Sequence, residues 1–284
     1  MTEEPIQNRD QLQTPILFLI FNRAHTTLEV FNRIREARPT RLYISGDGPR
    51  EGRNEVDSVN ATRAVATCVD WPCKVETLFR SKNLGCKRAV GEGISWFFEH
   101  EEQGIILEDD CVPDQSFFSF CDVLLKRYAS DERVSVITGD NFQAGQRRGE
   151  PSASYYFSKY NHCWGWATWR RAWQYYQGDL PFWPEWSQST DWREKTPDPV
   201  ERRYWGKIFE RAHAGQIDSW AYPWTASVWY HGGLTATPNV NLVTNIGFDD
   251  AATHTKSSEL AFAFLENEPL TKIVHPTSIV RLLP

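Results

Sequence analysis

The chain has 284 residues, enough to bury a full core, and its 40% hydrophobic and 24% charged residues are ordinary for a soluble globular protein. A formal net charge of −6 weighs against a protein that gains its affinity by wrapping nucleic-acid backbone. The first 15 residues lack the positive n-region and apolar core of a secretory signal, and the apolar run at 16–21 is too short to span a bilayer. A cytoplasmic protein of one domain is therefore expected, with no transmembrane segment and at most peripheral membrane contact. Six cysteines, at 68, 73, 86, 111, 121 and 163, show no CxxC spacing and read as reduced thiols rather than a zinc site.

The first half alternates strand and helix signals. Residues 16–21 form a continuous apolar run, and 25–37 follow with Leu28, Phe31, Ile34 and Arg35 at helical spacing until Pro39 stops the pattern. A second strand at 41–45 ends in Gly46-Asp47-Gly48-Pro49, a helix covers about 55–69, and a third strand at 74–79 follows the Trp71-Pro72 break. A helix at about 87–99 and a fourth strand at 104–107 complete a β-α series. That series predicts an α/β fold, a mostly parallel sheet flanked by helices. Residues 116–127 read as helix, with Asp114 placed as its N-cap, and 133–138 as a fifth strand. Composition then changes, because 11 of the 13 tryptophans lie from Trp164 to Trp229. Residues 139–284 thus read as a second, aromatic half. The tail from 261 has the pattern of a closing helix and strand, punctuated by Pro269 and Pro276.

In open α/β sheets ligands sit outside the carboxyl ends of the strands. Four successive strand candidates here are followed by Asn22-Arg23, by Asp47, by residues 80–83 ending in Asn83, and by Glu108-Asp109-Asp110. No GxGxxG follows the first strand and no P-loop pattern occurs, so a dinucleotide or P-loop site loses its main support. The acidic triplet is costly at the end of a buried strand, since like charges repel and desolvation penalises each. A divalent Mn²⁺ or Mg²⁺ carried by a diphosphate would offset that cost, because both favour carboxylate, water and phosphate oxygens. Asp110, the last of the three, is expected nearest the metal, with Glu108 and Asp109 reaching the ribose or a metal-bound water. Asp47 can accept from a base imide, and Arg23 and Lys87 can meet phosphate oxygens. Each also suits a plainer part: Asp47 a turn, Arg23 a helix start, Lys87 a solvated helix face.

Three elements of the second half carry further chemistry. In the run Trp164-Gly165-Trp166-Ala167-Thr168-Trp169, alternating tryptophans suit a core strand, while Gly165 lets backbone approach a ligand and an aromatic face can pack on a sugar ring. Asp218, ahead of a helical pattern that runs to Gly232-Gly233, fits an N-cap or a general base taking the proton of an acceptor hydroxyl. His254, in the run Ala252-Thr253-His254-Thr255, becomes a metal ligand if that segment folds back over the diphosphate.

In this order the residues at 15–23, 45–47, 105–110 with 113–118, 164–169 and 218–254 resemble a nucleotide-sugar glycosyltransferase of the GT-A fold. The pattern is similar to the N-acetylglucosaminyltransferase I type and to related bacterial polysaccharide-associated transferases. The resemblance implies that Glu108-Asp109-Asp110 is a DXD-type motif with Asp110 on the metal. It also implies that Asp47 meets uracil or another base, that Arg23 meets the nucleotide, and that Gly165 and Trp166 lie near the donor sugar. Asp218 is then the catalytic carboxylate and His254 a C-terminal metal ligand, with residues 15–138 the nucleotide-sugar-binding half and 139–284 the acceptor-binding half. Glu185, in Phe182-Trp183-Pro184-Glu185-Trp186, is the competing candidate for the base. The expected activity is transfer from a nucleoside diphosphate-sugar, a UDP-sugar first, to a carbohydrate hydroxyl with inversion. A sugar nucleotidyltransferase and a non-catalytic carbohydrate-binding protein are the rival readings.

Overall fold

The computed structural model describes residues 2–5, 11–143, 145–248 and 265–282. The short β1 (Glu3–Pro5) precedes a regular series of β2 (Ile16–Ile20), α1 (Ala24–Ala37), β3 (Arg41–Gly46), α2 (Val56–Ala66), β4 (Lys74–Phe79), α3 (Cys86–His100) and β5 (Gln103–Glu108). There follow β6 (Cys111–Pro113), α4 (Gln115–Arg127), β7 (Val134–Thr138), β8 (Tyr155–Ser158) and β9 (Trp166–Trp169). The aromatic half adds α5 (Arg170–Trp173), α6 (Trp183–Trp186), α7 (Thr190–Lys195), α8 (Pro199–His213) and α9 (Ala221–Tyr230), then β10 (Leu234–Pro238), β11 (Val243–Asn245) and β12 (Lys272–Val274).

Eight strands form one mixed sheet in the order β4-β3-β2-β5-β9-β7-β10-β8. The strands β4, β3, β2 and β5 pair in parallel. Antiparallel β9 then separates β5 from β7, β10 runs parallel to β7, and β8 closes the edge antiparallel to β10. The fold is thus α/β and mostly parallel, as expected, and both halves of the chain contribute strands to the same sheet.

The strand period of two divides β2 between two cores. Ile16, Phe18 and Ile20 join Ile105 and Leu107 on one face, with Phe117, Phe120 and Leu124 of α4. Leu17 and Leu19 join Ile106 on the other, with Ile94 and Phe97 of α3 and the tryptophan cluster. On α1 the buried stripe is Thr27, Val30, Phe31 and Ile34, and Leu28, part of the expected apolar face, is 43% exposed. The helix stops at Arg38, which is left-handed at φ 49°, just before Pro39. Asp114 caps α4 as its sequence position predicted, accepting from the Ser116 N–H at 2.8 Å. All six cysteines are free thiols. No helix among the described residues is long and apolar enough to cross a membrane.

Candidate functional site

The parallel register of β2, β3, β4 and β5 brings their carboxyl ends to one edge of the sheet, so Arg23, Asp47, Asn83 and the acidic triplet converge as the strand-end rule requires. Two surface hollows, one lined by Leu12, Glu36 and Phe118 and the other by Pro15, Arg41 and Glu101, lie elsewhere. The second borders the amino ends of β2, β3 and β5. Neither gathers the residues of the acidic edge.

The acidic triplet has a cation within the chain. Arg23, at the start of α1, places Nη2 2.5 Å from Asp109 Oδ1 and 2.8 Å from Asp110 Oδ2. Asp109 is turned inward and nearly buried, its second oxygen accepting the Phe21 N–H at 3.3 Å. Burial works against the Arg23 charge, but the two carboxylates outweigh it and its pKa is raised. One guanidinium does not neutralise three acids. Burial, together with Asp110 and Asp109, pushes Glu108 up to about 8, with Arg23 and a hydrogen bond from Trp220 pulling the other way. Burial likewise lifts Asp109 to about 6 in spite of Arg23. The cluster therefore holds more negative charge than its own cation satisfies.

Asp47 is the hub of the neighbouring loop. Its oxygens accept from Gly48 N at 2.8 Å, Asn83 Nδ2 at 2.9 Å, Leu84 N at 3.0 Å and Gly85 N at 3.2 Å. Both oxygens are thus engaged in tying the end of β3 to the loop that opens α3. Asn83 also donates to the Gly48 carbonyl at 2.9 Å. Lys87 pairs through Nζ with Asp179 Oδ1 at 2.8 Å.

Asp218 reaches this same place from the other half. It precedes α9, whose N-cap is Trp220, and it caps a different helix. Its oxygens accept from Cys86 N at 3.0 Å and Lys87 N at 2.8 Å, the first amides of α3. Two residues on, Trp220 stacks on Trp166 at 5.4 Å and 18° and bonds Glu108. The aromatic half is thereby pinned to both the acidic triplet and α3. Glu185 is exposed on α6, within the ring cluster of Phe182, Trp183 and Trp186.

The C-terminal segment folds back over the triplet, because β6 directly follows it and pairs antiparallel with β11. Ile246 N–H then donates to the Asp110 carbonyl at 2.8 Å. A Cβ at Gly247 would collide with Asp110 Oδ2, so any larger residue there would displace that carboxylate. His254 lies outside the described residues. Gly165 has φ +69°, and a Cβ there would sit 2.8 Å from Val243 Cγ2 and 3.3 Å from Leu107 Cδ2. Its lack of a side chain serves packing against the core. Trp166 is buried, 1% exposed, among Trp173, Trp220 and Trp224, so it backs the site from within the core.

The residues present fit a divalent ion held in part by a ligand. Among the described residues no group of three or more His, Cys, Asp or Glu side chains is arranged to hold a metal alone. Mg²⁺-type sites on phosphates need only one or two carboxylates, however, and among the described residues Asp110 Oδ1 has only a weak thiol contact, from Cys111 at 3.4 Å. Burial and nearby acids push Cys86 up to about 12 and hold Cys111 and Cys163 well above their ordinary range, so they stay protonated.

Two residues at this edge escaped the sequence reading. Asp140 and His162 sit beyond the end of β7, where the strand-end rule applied to the fifth strand candidate would have pointed to Asp140. Nothing in the sequence pattern marked His162, which approaches from the loop before β9.

No family model and no curated protein matches the chain. Similar solved structures include a mannosyltransferase from Pyrobaculum calidifontis in complex with GDP-Man and Mn²⁺, 12% identical over 59% of this chain and 47% of its own, with a TM-score of 0.37. A UDP-glucose pyrophosphorylase complexed with UDP-glucose is 11% identical over 51% of this chain and 62% of its own, at a TM-score of 0.29. HddC from Yersinia pseudotuberculosis is 8% identical over 56% of this chain and 78% of its own, at 0.33. The chain spans less than two thirds of the first two proteins. With all three TM-scores below 0.5, the reading of the site rests on its own geometry.

Proposed function

We propose that this chain is a cytoplasmic glycosyltransferase of the GT-A type. It moves a sugar from a nucleoside diphosphate-sugar, a UDP-sugar first among candidates, to a carbohydrate hydroxyl, with inversion and with Mn²⁺ or Mg²⁺. The carrying observation is the bridge from Arg23 to Asp109 and Asp110 at the carboxyl end of the parallel strands, under the 245–248 segment. An over-acidic cluster with a guanidinium built in suits a diphosphate and its metal together. A metal bound at Asp110 would act as a Lewis acid on the departing diphosphate.

In this reading Arg23 orients the phosphates and fixes Asp110, while the loop held by Asp47 and Asn83 shapes the base side. Lys87 lies at the first turn of α3, where it meets phosphate after leaving Asp179. Asp218 takes the acceptor proton. It is exposed, and each carboxylate oxygen has acceptor capacity beyond the one backbone N–H it receives. Direct displacement needs no covalent enzyme intermediate, and the transition state has oxocarbenium character.

The test is a panel of nucleotide sugars followed by thermal shift in Mn²⁺ and in EDTA, with nucleoside diphosphate release as the turnover assay. At least one donor is expected to raise the melting temperature only with metal. Absence of any metal-dependent shift would falsify the reading. Asp218→Asn is expected to lose at least about 100-fold in turnover, the low end of general-base catalysis, while binding donor nearly as the native chain does. Full activity in that variant would move the base to Glu185 or another group.

A further inference from the structure

Beyond the residues used so far, the carboxyl edge of the sheet holds one more buried acid. Asp140 follows β7 and is 1% exposed. Its Oδ1 accepts from the Thr138 hydroxyl at 2.6 Å, and among the described residues its buried Oδ2 has no hydrogen-bond partner. Facing that oxygen, His162 Nδ1 stands 4.0 Å away, too far for a hydrogen bond, with 27% of the side chain exposed. The imidazole belongs to a row of rings that leads to the acidic triplet. Phe142 meets His162 edge-on at 4.8 Å and Trp164 at 5.0 Å, and Trp164 meets Phe248 at 5.5 Å. Phe248 adjoins Gly247, which rests on Asp110.

We propose that Asp140 and His162 form a carboxylate-imidazole couple in which His162 binds a hydroxyl of the donor sugar and Asp140 is the positioning residue that orients its ring. The inference rests on the transferase reading and extends it to the sugar. A buried carboxyl oxygen without a partner is costly, and a ring shift of about 1 Å would bring Nδ1–H onto it. That bond selects the tautomer and leaves Nε2 as an acceptor for a hydroxyl. Burial pushes Asp140 up to about 7, against the pull of the Thr138 hydroxyl and of the backbone N–H groups of Asp140 and Trp164, and lowers His162 below its ordinary range. A neutral imidazole results, and it donates from one nitrogen while accepting at the other. Aromatic faces beside it suit the C–H face of a pyranose.

The experiment compares a nucleotide sugar chosen from the panel with its nucleoside diphosphate, by calorimetric titration in Mn²⁺, on the native chain, His162→Ala and Asp140→Asn. Both variants should weaken the nucleotide sugar by roughly 3–10-fold, the size of one hydrogen bond, and leave the nucleoside diphosphate unchanged. The double variant should lose no more than His162→Ala alone, since Asp140 acts through the ring. Unchanged sugar binding in both variants removes the couple while the transferase reading stands. Equal loss of sugar nucleotide and free diphosphate also overturns it, as a general structural effect. A native chain that binds none of the nucleotides overturns the transferase reading itself, and the couple with it.

Discussion

The two faces of the sheet are filled in different ways. One is built from Ile16, Phe18, Ile20, Leu107 and the α4 residues Phe117, Phe120 and Leu124, mostly supplied by regular strands and by helices several turns long. The other adds Trp166, Trp173, Trp183, Trp186, Trp192, Trp220, Trp224 and Trp229 to Leu17, Leu19 and Ile106. Many of these rings come from helices of only four to six residues, α5, α6 and α7, too short to persist without tertiary packing. Large rings fill a wide space with few residues, so irregular chain can close it. The aromatic face is also the one that carries Trp220 to Glu108 and Asp218 to α3. A site that joins two halves of the chain is thus anchored where the chain is least regular.

The comparison breaks most readily at a tryptophan. Trp224, 1% exposed and 5.0 Å from Trp173, should cost about 3–5 kcal/mol when replaced by alanine, read as a urea-midpoint shift with an unchanged m-value. A loss below about 1 kcal/mol would mean that the rings are not a core.

Next in size is Arg23→Gln. It leaves Asp109 and Asp110 without their cation, and breaking a buried pair costs about 3–5 kcal/mol. With the Arg23 side chain 20% exposed, about 2–4 kcal/mol is expected. Mn²⁺ at millimolar concentration should restore part of it, and a variant indifferent to metal would count against Asp110 as a ligand.

The smallest effect is in pH. Glu108 holds its proton up to about 8 in the folded chain against an ordinary value of 4.5. Between those values the native state binds a proton that the unfolded chain has released. The stability contributed by this proton is therefore fully present below about 4.5 and is lost as pH rises toward 8. In EDTA the native chain should lose about 2 kcal/mol from pH 6 to 8, and Glu108→Gln should flatten that slope. An equal slope in the variant would assign the proton elsewhere.

The first half was legible because its signals are local. The apolar run at Ile16–Ile20, the Pro39 stop and the Asp114 cap each act within a few residues, and together they specify parallel strands whose carboxyl ends share an edge. The charge cost of Glu108-Asp109-Asp110 was visible for the same reason. Partner choice was not. The sequence offered Asp47 to a base or a turn, Asp218 to its own helix or an acceptor proton, and Arg23 to phosphate or a helix start, and folding set Asp47 at the hub of a loop, Asp218 on α3 and Arg23 between two aspartates.

By itself, then, the sequence determined the layered α/β fold, the strand-end location of the polar residues and an excess of negative charge among them, since these follow from periodicity and like-charge repulsion over short spans. Tertiary structure alone decided which carboxylate meets which donor, that Gly247 covers Asp110, and that Asp140 faces His162 with one oxygen unpaired. Those contacts join residues far apart in the chain, and the hydrogen-bonding groups involved are chemically interchangeable until the backbone fixes their distances.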